Sequence, residues 1–274
     1  MPLIKTVFTV IDPTSEKQRA LDRAIRIAQM NEAKLHAFLC IYSNIEADDM
    51  ETLQQVETSR HKMWLDKIIE PARAAGLDIT IQIEWDKDWF AAIAPAAKAV
   101  DSDLIVKPSR AHSASERFFM RSSDLALFRT AQCPVLLAKS EEANQSHKIL
   151  AAIDANRTDS RYVNIRDDII EYGKEMAAAY VDGELHAVHS YADQDEYIHV
   201  RDMVKLTGLD REHVHVVGSE PEQAIAMKAE EINAQVIIIG LSTKSSLVNR
   251  VFGSTGEWLL NNLNYDLLVV FPEE

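Results

Sequence analysis

Short β-branched runs alternate with longer stretches whose apolar residues return every three or four positions. Residues 4–11 (IKTVFTVI) predict a buried strand ending at Asp12. Ser15-Glu-Lys-Gln18 has the form of a capping box, after which Leu21, Ala24, Ile25 and Ala28 recur at helical spacing. A strand over 34–41 follows, then a long helix reaching about Gly76 with Trp64, Leu65, Ile68 and Ile69 on one face. A strand over 79–85, a helix over about 89–99 and a strand over 103–107 come next. A polar loop, a helix over 117–130 and a strand over 134–139 close the first half.

The stretch 140–147 (SEEANQSH) has Ala143 as its one apolar residue and predicts a linker, dividing the chain into domains 1–143 and 147–274. The alternation then starts again. A strand over 148–153 ends at Asp154, a helix covers about 160–180, and a strand over 184–190 precedes a shorter helix near 195–207. A strand over 213–217 leads into Ser219-Glu-Pro-Glu222, a second capping box with Pro in the first turn. A strand over 236–239 ends at Gly240, the last helix opens near Ser254, and a strand over 266–271 follows.

The two halves are one pattern written twice. Adding 133 carries 104–106 onto 237–239, Asp124 onto Glu257, Leu127 onto Leu260 and 135–137 onto 268–270. Each half therefore predicts an α/β domain with a five-stranded parallel sheet and helices on both faces. Right-handed crossovers place a crevice at the carboxyl ends of the strands, where Asp12, Lys107, Asp154 and Gly240 fall.

Composition narrows the function. With 47% apolar and 26% charged residues the chain can bury a core, which excludes disorder as its main state. A net charge of −14 argues against nucleic acid or an anionic membrane as the main partner. The two cysteines, Cys40 and Cys133, sit in no metal or disulfide pattern and read as inert thiols. No signal peptide or membrane-spanning run is expected, so the cytoplasm is the expected location.

The loop after the fourth strand of the second half reads Gly240-x2-Thr243-x9-Gly253-Ser254-Thr255. Glycines let backbone approach phosphate oxygens, Ser254 and Thr255 open a helix whose N–H groups favour an anion, and Lys244 and Arg250 add charge. Ser254-Thr-Gly-Glu257 is itself a capping box, which would place the Glu257 carboxylate at that same helix end. This pattern resembles the G-x2-G-x9-G-[S/T] loop of the universal stress protein family, with Thr243 in place of the second glycine. Asp154 and His189 (in AVHSY) match as well, and the tandem arrangement is similar to the E-type members.

The resemblance implies two Rossmann-like domains of the adenine nucleotide alpha hydrolase type and a stress-response protein that binds a small ligand. It implies ATP or another adenine nucleotide in the second domain, held by Ile153, Asp154, Ser190, Ile239, Gly240, Thr243, Lys244, Gly253, Ser254 and Thr255. It also implies pairing of the two domains as an internal pseudo-dimer through 134–139 and 266–271, with a homodimer of whole chains as a further option. The protein is expected not to be an enzyme. Two other readings stay open: a slow ATPase or nucleotide-transforming enzyme, and a binder of a lipid-like or other apolar ligand in the first domain.

In the first half the glycines are gone. Lys107, Arg110, Arg117, Arg121 and Arg129 make that loop basic, so Asp12, Lys107, Arg110 and Arg121 form a possible anion or ligand site. The alternative is a solvated face that pairs with nearby carboxylates. Asp12 and Asp154 either bond a ligand base or ribose or hold their own loops. Trp85 and Trp89 are a possible lid over a cavity or core packing, and Trp258 is expected in the core. His213 and His215 face one side of a strand, but no spaced third ligand stands near them in sequence, so no metal is expected; His186 and His189 face opposite ways.

Overall fold

The structure, a computed structural model, describes residues 4–42, 49–109, 117–140, 146–241 and 253–271, and the side chains of its fourth helix from 123 onward. The chain divides into two compact units, one of Met1–Ser109 with Phe119–Ala138, the other of Lys139–Glu274.

The first unit runs β1 (Thr6–Val10), α1 (Arg19–Asn31), β2 (Lys34–Ile41), α2 (Met50–Ala74), β3 (Ile79–Trp85), α3 (Ile93–Ala99), β4 (Leu104–Pro108), α4 (Arg117–Thr130), β5 (Val135–Ala138). Every pairing is parallel, in the order β3-β2-β1-β4-β5. The second unit runs β6 (Lys148–Ala152), α5 (Ser160–Ala178), β7 (Glu184–Tyr191), α6 (Val200–Thr207), β8 (Val214–Gly218), α7 (Pro221–Ile232), β9 (Val236–Gly240), α8 (Ser254–Asn262), β10 (Asp266–Val270). Its order, β8-β7-β6-β9-β10, is again all parallel.

Inner strands are mostly apolar because helices cover both faces. Val7, Leu35 and Val106 are fully buried in one unit, and Leu150, Ala187 and Ile238 in the other. The outer strands β3 and β8 are half exposed. In each unit the first strand lies at the centre, with the chain leaving to one side and then the other. That reversal opens a crevice at the carboxyl ends of β1 and β4, and of β6 and β9.

Three helix caps differ from expectation. Helix α1 begins at Arg19, and Gln18 stands at its N-cap without a side-chain cap bond. The Gln18 amide donates back to the Asp12 and Ser15 carbonyls, while the Asp12 carboxylate accepts from Thr14 N–H at 2.9 Å. The turn thus uses up the residues that would have capped the helix. Helix α7 has Glu220 at its N-cap, one residue after Ser219, with Pro221 opening the helix as expected. Helix α8 has Gly253, which carries no side chain, at its N-cap, so Ser254 is already inside the helix.

Trp258 is 36% exposed; the neighbouring Leu259 and Leu260 take the buried positions of α8 instead. The other end of α8 is held by Lys139, whose buried ammonium donates to the carbonyls of Leu260 at 2.7 Å and Leu263 at 2.5 Å. A cation there matches the negative end of the helix dipole.

Candidate functional site

In the second unit the crevice widens into a cleft of about 360 Å³. Ile153, Val188 and Ile239 come from the ends of β6, β7 and β9, and Ile225 and Leu259 come from α7 and α8. Asp154, Ser190 and Gly240 line it at the strand ends, and Gly253 and Thr255 at the mouth of α8. Seven of the ten expected nucleotide residues thus border one space. Ser254 lies between two of them in the first turn of α8, and Thr243, Lys244 and Arg250 lie outside the described residues.

The polar end of the cleft is built by the β6–α5 loop. Asp154 Oδ1 accepts from Asn156 N–H at 3.1 Å. Asp154 N–H donates to the Tyr162 hydroxyl. Burial pushes the Tyr162 phenol up to about 12, so it stays protonated. Arg157 lies over the Tyr162 ring, 4.3 Å from its centroid, and pairs with Asp159 at 3.0 Å. Asp159 caps α5 by accepting Tyr162 N–H at 3.1 Å, and that bond holds its carboxyl below the usual range. Asp154 thus does hold its own loop, as Asp12 does, and it also lines the cleft.

His189, 2% exposed, ties this loop to the next. Its Nδ1 accepts from Ala155 N–H at 3.3 Å and its Nε2 faces the Glu196 carbonyl at 3.4 Å. An accepting Nδ1 puts the ring proton on Nε2. Asn156 Nδ2 donates to the same Glu196 carbonyl at 2.6 Å. Asn156, Tyr162 and Glu196 were not anticipated from sequence: they belong to a loop, a helix turn and a 3₁₀ turn, which carry no strand-end signal. His189 was signalled by its strand-end position.

The other end of the cleft is the start of α8, where the N-cap residue Gly253 has no side chain to cap it. Thr255 Oγ1 donates to Glu222 Oε2 at 3.3 Å, joining the first turns of α8 and α7. Glu257 sits one turn in, its N–H bonded to the Gly253 carbonyl at 2.9 Å, so the expected capping box at Ser254 does not form. Among the described lining residues the charged groups are Asp154 and Glu196, which leaves the helix N–H groups as the electropositive element.

The two cleft glycines differ. A Cβ on Gly240 would stand 2.4 Å from Ile165 Cγ2 and 3.1 Å from Ile169 Cδ1, so α5 packing itself demands glycine there. A Cβ on Gly253 would meet nothing within 4 Å among the described residues.

In the first unit Lys107 does not face a ligand. It is buried, with its ammonium 2.6 Å from Asp124 Oδ1 and 5.6 Å from the Trp89 ring centroid. Ser109 Oγ donates to the other Asp124 oxygen at 2.9 Å. The basic loop has thus spent Lys107 on a buried carboxylate that its α4 position brings underneath. Asp12 lies apart from this pair, bonded to Thr14 and Gln18. Arg110 and the Arg121 side chain lie outside the described residues. Trp85 donates to Thr58 Oγ1 at 3.0 Å, tying β3 to α2.

Burial pushes both the Cys40 and the Cys133 thiols up to about 11, in keeping with unreactive groups. His213 and His215 are joined by Glu184 and His186 of the neighbouring strand β7, a third and fourth donor that sequence spacing concealed. Burial lowers His215 to about 4. No described helix is long and apolar enough to cross a membrane.

A sequence model of the Universal stress protein family matches residues 4–139 and 168–270. Universal stress protein E of Escherichia coli (strain K12) is 23% identical over 303 residues, covering 100% of this chain and 96% of the relative. The Universal stress protein E homolog of Haemophilus influenzae is 25% identical, with 98% of each chain covered. Among solved structures, a universal stress protein from Archaeoglobus fulgidus has a TM-score of 0.75 at 20% identity, covering 98% of this chain and 97% of its own. A protein of unknown function from Pseudomonas aeruginosa PAO1 reaches 0.80 at 23% identity, covering 98% of this chain and 93% of its own. These two likenesses establish the fold.

Proposed function

The chain belongs to the universal stress protein family, and from that premise we propose that its second unit binds an adenine nucleotide in the cleft between Asp154 and α8. The base and ribose lie toward Asp154 and Ser190, and the phosphates toward the backbone of Gly253, Ser254 and Thr255.

One observation carries this reading: the cleft has opposite chemistry at its two ends. A carboxylate held by its own loop offers an acceptor for an amino group or a ribose hydroxyl. A helix start whose N-cap is a glycine offers N–H groups and a partial positive charge to a phosphate. Apolar walls from Ile225, Ile239 and Leu259 suit a planar ring between them. Gly253 carries no side chain and no described atom crowds its Cβ position, which supports close approach of phosphate to backbone.

The reading is of a cytoplasmic regulatory protein that acts by binding rather than by turnover. Both ring nitrogens of His189 are bonded to backbone, which fits a positioning role more than proton transfer. In the first unit the corresponding strand end carries Lys107, already paired with Asp124, so the nucleotide is assigned to the second unit alone.

The test is mass spectrometry of what the freshly purified, denatured protein releases, with calorimetric titration of ATP, ADP and AMP. The expected result is near-stoichiometric adenine nucleotide, lost on Gly253→Glu with the circular dichroism unchanged. No released nucleotide and no heat with any of the three overturns the reading. Steady phosphate release beyond one equivalent of ATP overturns its non-catalytic part.

A further inference from the structure

A histidine cluster outside the nucleotide cleft is built from β7 and its outer neighbour β8. Glu184 and His186 are two apart on β7 and face the same side. The parallel register sets Ala187 beside Val214 and Val188 beside His215, so His213 comes alongside His186. His186 Nε2 lies 3.0 Å from Glu184 Oε2, and its Nδ1 lies 3.0 Å from His215 Nε2. The rings of His186 and His213 are 4.7 Å apart, edge to face. One donor atom from each of Glu184, His186 and His213 lies within 4.8 Å of the others.

The first unit supplies an internal control. His36 of β2 holds the place of His186, in the same Leu-His-Ala sequence. Its Nδ1 meets Thr80 Oγ1 and its Nε2 meets Gln82 Oε1, each at 2.7 Å. A strand histidine at this point of the fold is therefore satisfied by a threonine and a glutamine. The second unit replaces those two by His213 and His215, and replaces Lys34 by Glu184. A cation and two neutral partners have given way to a carboxylate and two imidazoles.

We propose that Glu184, His186 and His213 form a site for a divalent transition-metal ion of the zinc class, with water completing the shell. Two imidazoles and one carboxylate are a common three-ligand set for such an ion, whose ligand atoms at bond lengths of about 2.0–2.2 Å stand roughly 3.3–3.6 Å apart. The ion takes the His186 Nε2 lone pair, and the ring proton moves to Nδ1, from which it donates to His215. His215 is thus a positioning residue that fixes the tautomer and orientation of the ligand. Glu184 and His213 are half exposed, which gives the ion a way in. Lys148 Nζ, 3.2 Å from Glu184 Oε2, is the cation that the metal displaces.

The experiment is a Co²⁺ titration of the untagged, chelator-stripped full chain in nucleotide-free buffer, read in the visible spectrum and reversed with Zn²⁺. One equivalent of Co²⁺ with the intense bands of a four-coordinate ion, bleached by Zn²⁺, is expected. His213→Ala and Glu184→Gln abolish the bands, His215→Gln weakens binding roughly 10–100-fold, and Lys148→Gln tightens it. Circular dichroism confirms that each variant folds, and two independent ligand variants guard against loss of one. No such spectrum in the wild type, or equal affinity in wild type, His213→Ala and Glu184→Gln, overturns the proposal.

Discussion

Gly240 and Ile165 meet so closely that the glycine has no room for a methyl group: a Cβ would lie 2.4 Å from Ile165 Cγ2. Ile165 is 2% exposed and cannot turn away. Gly240→Ala therefore overpacks the interface of α5 with β9, and a loss of about 1–3 kcal/mol is expected in urea unfolding. Gly253→Ala, whose Cβ meets no described atom within 4 Å, is expected to stay within about 0.5 kcal/mol of wild type. Its effect belongs to ligand affinity, read by calorimetry. Equal stability losses in the two variants would contradict this division.

The Lys107–Asp124 pair predicts a different pattern. Both side chains are buried, and Ser109 completes the carboxylate's bonding. Lys107→Met strands a buried charge and is expected to cost about 3–5 kcal/mol. Adding Asp124→Leu removes the stranded partner, and the double variant is expected to recover much of the loss. Additive losses in the double-mutant cycle would show that the two groups do not act as a pair.

His189 joins Ala155 N–H to the Glu196 carbonyl across the cleft's polar end. His189→Ala leaves the buried Ala155 N–H without its partner, at about 1–3 kcal/mol, while Asn156 still donates to the Glu196 carbonyl. Amide exchange is expected to quicken around 154–157 and 194–197, with protection in β1–β5 unchanged. Uniform quickening over the whole chain would refute a local role.

Asp159 gives the pH dependence a sign. Tyr162 N–H, and after it Arg157, hold its carboxyl below the usual range in the folded chain. A depressed folded value means that its stabilisation is present above the unfolded carboxylate value near 4 and fades as pH falls through the lower, folded value. Asp159→Asn keeps a cap but not the charge. Wild type is thus expected to melt above the Asn variant at pH 7, with the gap closing below about pH 4. A gap that does not change with pH would count against the charge.

Much of this architecture is legible in the chain. Strand periods and apolar runs mark β2 at 34–41, β3 at 79–85 and α4 at 117–130, because burial on both faces or one stripe writes itself into local sequence. The repeat and the alternation of strand and helix suffice for two parallel sheets, and the switch-point rule then brings Asp154, Ser190 and Gly240 to one crevice.

Helix starts are less legible. Ser15, Ser219 and Ser254 all have a capping box's spacing, yet none of the three is the N-cap of its helix, since the preceding turn decides which residue leaves the helical conformation. Side-chain partnership is less legible still. Lys107 reads either as a ligand-facing cation or as the partner of a nearby carboxylate until α4 lays Asp124 beneath it, and His213 reads as a strand-end residue until β8 takes its register against β7. Periodicity alone determined the order and kind of the elements, because it records how each residue meets the core. Only the tertiary structure decided which charge meets which, because those encounters join residues that sequence spacing does not relate.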